Sequence, residues 1–156
     1  MGTKSLDSAS NAMKIVAGTG CVDSSSTQLD QPHGIFVDTN LDLYVADSGN
    51  NRIQLFQSGQ LDGRTVAGSG SINITISLNY PSGIVLDGNK YLFIVAYGSN
   101  RIVRSSSSGF QCIVGCYGSG SASNQLNSPL IMAFDSHGNI FVIAIDTIIV
   151  FRSFFY

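Results

Sequence analysis

PHGIFVDTNLDLYVADSGNNRIQLF, residues 32–56, holds three short apolar runs, GIFV, DLYVAD and RIQLF, rich in β-branched and aromatic side chains. Such runs of four to six residues read as β-strands. Between them stand clusters of Asp, Asn, Ser and Gly, which favour tight turns because they bond the local backbone or tolerate positive φ. No segment of the chain repeats its apolar residues at helical spacing, so the class expected is all-β.

Working outward, the same pattern returns twice. Pro32, Pro81 and Pro129 stand 49 and 48 residues apart, in LDQPHGIFVD (29–38), LNYPSGIVLD (78–87) and LNSPLIMAFD (126–135). Each segment ends in an aspartate, Asp38, Asp87 or Asp135. A second strand follows as DLYVAD (42–47), YLFIVAY (91–97) and NIFVIAI (139–145), and a third as RIQLF (52–56), RIVRS (101–105) and TIIVF (147–151). The fourth reads KIVAG (14–18), RTVAG (64–68) and QCIVG (111–115), each trailed by a Gly/Ser-rich loop. Calling these strands a to d, the chain runs d, abcd, abcd, abc.

A four-stranded unit recurring every 40 to 50 residues is the pattern of a β-propeller blade. Residues 32–56 closely resemble the NHL repeat: Pro-x-Gly-Ile-x-Val-Asp from Pro32, aromatic-Val-Ala-Asp ending at Asp47, then Asn-Arg-Ile at Asn51–Arg52–Ile53. The second unit keeps Pro81, Gly83, Asp87, Asn100 and Arg101 and sets Tyr97 where the aspartate is expected. The third keeps Pro129, Asp135, Gly138 and Asn139 but lacks the glycine after the proline and the Asn-Arg element. The resemblance implies about three blades of four antiparallel strands, near 19–68, 69–115 and 116–156, with 14–18 an orphan d strand and 1–13 a loose leader.

Propellers use four to eight blades, so three do not close a ring. The strand order suggests that residues 14–18 complete the last blade of a partner chain. The expectation is a head-to-tail homodimer forming six blades, or a piece of a longer protein. Unpaired edges otherwise invite aggregation, a liability that the terminal FRSFFY would share.

Length and composition fit this frame. The chain has 156 residues, the size of one domain, with 44% hydrophobic and 12% charged residues and no glutamate. That balance excludes charge-driven disorder and long Glu/Lys-rich helices. Eight Lys and Arg, scattered singly, face ten Asp for a net charge of −2. With no basic stripe, nucleic-acid binding by counterion release is not expected. The segment 140–156 is broken by Asp146 and Arg152 and too short to span a membrane. Of three cysteines, Cys112 and Cys116 would lie about 13 Å apart on an extended strand, so a disulfide between them needs a chain reversal near Gly115. Their spacing is poor for zinc. A glycosylation sequon at Asn73–Ile74–Thr75 leans the localisation outward.

Residues that recur at one blade position are expected to serve the blade. Arg52 and Arg101 should hydrogen-bond nearby loop carbonyls or carboxylates. The three aspartates ending strand a should bond the following turn. Asn50–Asn51 and Ser99–Asn100 read as turn residues, and the glycines at 18–20, 68–70 and 118–120 as turn formers rather than phosphate cradles. His33, before strand a, and His137, in the a-to-b turn, fall at different blade positions, so a shared metal is not expected. No GxSxG supports a catalytic triad. Tyr97 and Tyr117 stand out as amphipathic contact residues. The candidate binding-loop set is therefore His33, Asp47, Asn51, Arg52, Tyr97, Asn100, Arg101, Tyr117 and His137, with no catalytic residue, metal or cofactor expected.

The resemblance implies a non-catalytic interaction module that offers blade loops to a protein, peptide or glycan. Two alternatives come with it. One is a metal-dependent enzyme of the peptide-amidating-lyase type, whose ring holds a metal with several histidines; two histidines fall short of that set. The other is RNA recognition, which NHL rings of the tripartite-motif type perform through a basic face that this chain lacks.

Overall fold

The computed structural model describes residues 14–72 and 77–152. Among the described residues, eleven strands form three antiparallel sheets. The first holds β1 (Pro32–Val37), β2 (Leu43–Asp47), β3 (Arg52–Phe56) and β4 (Arg64–Gly68). The second holds β5 (Pro81–Leu86), β6 (Leu92–Ala96), β7 (Arg101–Ser106) and β8 (Gly109–Val114). The third has β9 (Ile131–Phe134), β10 (Ile140–Ala144) and β11 (Thr147–Phe151). Within each sheet the strands pair in chain order, so each sheet is an up-and-down blade. These are the a to d strands of the sequence; β3, β4 and β11 coincide with it and the other strands have ends shifted by up to five residues.

The turns repeat because their chemistry repeats. Asp38 Oδ1 accepts from the backbone N–H of Asn40 (2.8 Å) and Asp42 (3.0 Å), Asp87 Oδ1 from Asn89 (2.9 Å) and Tyr91 (2.8 Å), and Asp135 Oδ1 from His137 (2.8 Å) and Asn139 (2.9 Å). Each carboxylate closes the a-to-b turn by satisfying two donors that no strand can reach.

The blades pack face to face and make two cores. Ala46 and Ile53 of blade one meet Ile84, Leu92, Ile94 and Val103 of blade two. Phe93, Val95 and Ile102 on the other face of blade two meet Met132, Ile140 and Val142 of blade three. Alternation along each strand sends successive side chains to opposite faces, so blade two, buried on both, is apolar throughout β6. The a strands approach closely: a Cβ on Gly34 would stand 2.4 Å from the Ser82 carbonyl oxygen.

Three readings of the sequence meet the structure here. Residues 14–18 form no strand among the described residues. The aspartate position of blade two is held by Ala96, which pairs with Pro81 and Arg101 as Asp47 pairs with Pro32 and Arg52; Tyr97 therefore matches Ser48. The third blade keeps a b-to-c turn despite losing Asn-Arg, because Asp146 takes the same left-handed conformation (φ 56°) as Asn51 (54°) and Asn100 (52°). The leader 1–13, the sequon 73–75 and residues 153–156 of FRSFFY lie outside the described residues, and among those described no helix is long and apolar enough to cross a membrane.

Cys112 and Cys116 are disulfide-bonded, with Cα atoms 5.8 Å apart. Gly115 makes the reversal with φ 74°. Cys21 is exposed and free. Closing so short a loop limits the unfolded chain modestly, so Cys116→Ser is expected to cost roughly 2 kcal/mol. Urea unfolding of the variant checks this; an unchanged midpoint would mean the bridge constrains nothing.

Candidate binding surface

One end of each sheet gathers the start of strand a, the b-to-c turn and, in the first two sheets, the end of strand d. There the recurrent polar residues are consumed by the fold. Arg52, 6% exposed, donates from Nε to Asp47 Oδ2 (2.7 Å), from Nη1 to the Ser24 carbonyl (2.5 Å) and from Nη2 to those of Ser25 (2.8 Å) and Gln28 (3.1 Å). Asp47 also accepts from Asp30 N–H (2.6 Å) and Asn50 Nδ2 (2.9 Å). The pair ties the 23–30 loop to blade one. Arg101 has Ala96 opposite it, bonds the Ser77 carbonyl through Nη2 (2.7 Å), and leaves Nε without an acceptor among the described residues.

Asn51 and Asn100 stitch blades together. Asn51 Oδ1 accepts from the N–H of Tyr80 (2.7 Å), the residue before Pro81. Asn100 Oδ1 accepts from Ser128 N–H (2.6 Å), before Pro129. Ser48 Oγ donates to the Pro81 carbonyl across the same seam. These side chains hold neighbouring loops in place.

What the frame presents is aromatic. His33 and Tyr80 stack edge-on with ring centroids 5.2 Å apart, and Tyr80 lies 6.2 Å from Tyr97. The Tyr80 hydroxyl donates to Gln31 Oε1. Asn79 secures the Tyr97 turn from below: its carbonyl accepts from Gly98 N–H (3.0 Å) and its Nδ2 donates to the Gly98 carbonyl (3.1 Å). The ladder crosses the seam between blades one and two, with His33 exposed and both tyrosines half-buried.

Two candidates stand apart from it. His137 is exposed in the a-to-b turn of blade three, with Nδ1 4.0 Å from Asp135 Oδ2. His33 opens its strand and His137 follows the end of its own, so they occupy opposite ends of their sheets. Tyr117, 80% exposed, follows the disulfide and borders a small cavity with Cys116, Asn124 and Phe151. Tyr80 is the residue that sequence reasoning missed; its signal was an aromatic before Pro81 where the other units have Gln31 and Ser128.

Two groups titrate away from their ordinary values. The Asn139 side-chain amide, bonded to Asp135 Oδ2 (2.7 Å), holds that carboxyl low, helped by the backbone donors of the turn. Burial, and then Asp38 and Asp42, raise the Tyr44 phenol, which stays neutral at physiological pH. Neither belongs to the aromatic ladder. Among the described residues no three His, Cys, Asp or Glu side chains are grouped to hold a metal ion.

Comparison with known proteins places this geometry. The NHL repeat family model matches residues 29–56. No curated protein matches the sequence. Among solved structures, a gluconolactonase from Xanthomonas campestris is similar at 18% identity and TM-score 0.57, over 76% of this chain and 36% of its own. A protein of unknown function from Bacteroides thetaiotaomicron matches at 12% identity and TM-score 0.60, over 71% and 32%. Virginiamycin B lyase from Staphylococcus aureus matches at 12% and 0.56, over 83% and 44%. The chain thus spans well under half the length of each of these structures. At such identity the likeness concerns the fold. The chain carries an NHL repeat at residues 29–56, the first of three antiparallel sheets arranged as propeller blades.

Proposed function

We propose that the chain is a non-catalytic interaction module that binds a protein, peptide or glycan at the rim formed by His33, Tyr80 and Tyr97. The observation that carries this is the aromatic ladder itself. Three rings with polar tips sit side by side on a rigid seam, fringed by Gln31 and Asn79, while the charged and amide residues around them are spent on structure. Aromatic faces with one wet end supply large contact area at low entropy cost, which is why tyrosine is enriched where proteins bind partners.

Peptide and glycan arrays probed with the purified chain test the reading. Tyr80→Ala with Tyr97→Ala is expected to lower affinity for any ligand found by about 30-fold, the effect of losing a hot spot worth some 2 kcal/mol. Undiminished binding by the double variant would remove this rim from consideration. Turnover of a lactone or of a virginiamycin B-type substrate by the pure chain would replace the module with an enzyme, as the names of two structural neighbours suggest.

A further inference from the structure

We propose that two copies of this chain close on each other head to tail, each lending residues 14–18 as the fourth strand of the other's third blade. The inference concerns a different surface from the aromatic rim and stands without it.

Both outer faces of the array are open versions of its inner seams. Ile84, on the blade-two face turned toward blade one, is 6% exposed, whereas Ile35 at the same position in blade one is 66% exposed. Ile35 lines an apolar groove of about 610 Å³ with Val37, Leu43, Phe56 and residues 15–17. At the other end, Ile102 is fully buried against blade three, and its equivalent Ile148 is 66% exposed, beside Phe141, Ile143 and Val150. One end therefore needs a blade's back face and the other a blade's front face. A second copy supplies both.

The edge strand carries independent signs. Gly68 and Gly115 end strand d with φ of 84° and 74°, where a Cβ would stand 2.2 Å from the Asn51 carbonyl oxygen and 2.1 Å from that of Asn100. Gly18 holds the same conformation, φ 74°, yet only the Leu29 side chain lies near it. Its backbone has the shape of a strand end whose neighbouring strand is missing. Among the described residues β11 is an edge with no strand paired on its outer side. In blade one Arg52 pairs with Gly68 and Ile53 with Ala67, which by repeat sets Thr147 opposite Gly18 and Ile148 opposite Ala17 of the second copy.

The polar stitch is also half-present at each end. Tyr80 (φ 49°) and Ser128 (48°) give their N–H groups to Asn51 and Asn100. Gln31 (φ 46°) has the same place and shape in blade one, with no such turn before it among the described residues, and Asp146 (φ 56°) has the asparagine's place in blade three. Asp146 of one copy thus faces Gln31 N–H of the other. One departure sets the geometry: Gly34 and Gly83 allow close approach of neighbouring a strands, but Ile131 replaces them in blade three. The two junctions between copies are wider at the centre than the seams within each copy.

Light scattering on a sizing column, across a concentration series, should return twice the mass of one chain. Ile148→Asp, at a site exposed in the single chain, should halve that mass with an unchanged circular dichroism spectrum. As a second readout, chains carrying Ala17→Cys and Ile148→Cys, each with Cys21→Ser, are mixed and oxidised. A disulfide joining the two different chains supports the register. A single-chain mass at every concentration, an assembly larger than two, or a dimer that survives Ile148→Asp and yields no mixed disulfide would overturn the proposal.

Discussion

Replacing Asp47 by alanine is expected to destabilise the first blade by about 3–5 kcal/mol, the cost of leaving a buried charge without its partner. Asp47 is fully buried and accepts three hydrogen bonds, from Asp30 N–H, Asn50 Nδ2 and Arg52 Nε. Among the described residues it is the only carboxylate ion-paired with Arg52. Without it the guanidinium keeps three loop carbonyls on Nη1 and Nη2, while Nε loses its acceptor and the charge its counter-ion. The 23–30 loop also loses the bond from Asp30 N–H, keeping at that residue the one its carbonyl accepts from Gly49 N–H. Urea unfolding gives the magnitude, and hydrogen exchange should show amides of residues 24–30 losing protection first. The double substitution Asp47→Ala with Arg52→Met should recover part of the loss, because it removes the charge as well as the partner. A loss under about 1 kcal/mol would mean that the pair behaves as a solvated surface bridge. Blade two already shows how the chain manages such a gap: Ala96 stands opposite Arg101, which is only half-buried.

Phe93→Ala should cost a similar amount, about 3–5 kcal/mol, for a different reason. The ring is fully buried between blades two and three and meets Phe134 edge-on, with centroids 4.9 Å apart. Its other neighbours include Val95, Ile102, Met132 and Ile140, held on sheets that cannot collapse into the space left behind. Phe141 supplies the control. It has the same strand position in blade three but is 37% exposed, so in the Ile148→Asp variant, which the proposed closure makes single-chain, Phe141→Ala should cost less than about 1 kcal/mol. Equal losses at the two sites would show that the seam between blades two and three carries no special share of the stability. Denaturant midpoints of the two variants make the comparison.

Much of this was legible in the chain. GIFV, DLYVAD and RIQLF became β1, β2 and β3 within a few residues, because strand formation needs only alternation and β-branched side chains bounded by turn formers. The Asp38, Asp87 and Asp135 turns are equally local: acceptor and donors lie within four residues. Arg52 at a repeated position pointed to a structural role, since a residue that every unit needs serves the unit. The match of Tyr97 to Asp47 was off by one residue, and the strand register, which pairs Ala96 with Arg101, is what shows it. The disulfide depended on whether the chain reverses at Gly115, a matter of one φ angle that spacing alone left open.

By itself the sequence determined the all-β class, the three units and their turns, since each follows from side chains that act on their own few neighbours. Only the tertiary structure decided which residues form the rim. His33 and Tyr80 are 47 positions apart, and their rings meet because blade packing brings the start of one a strand against the start of the next. It also decided which apolar residues stay uncovered: Ile35 and Ile84 are alike in sequence, and a neighbouring blade, not their own chemistry, buries one and exposes the other.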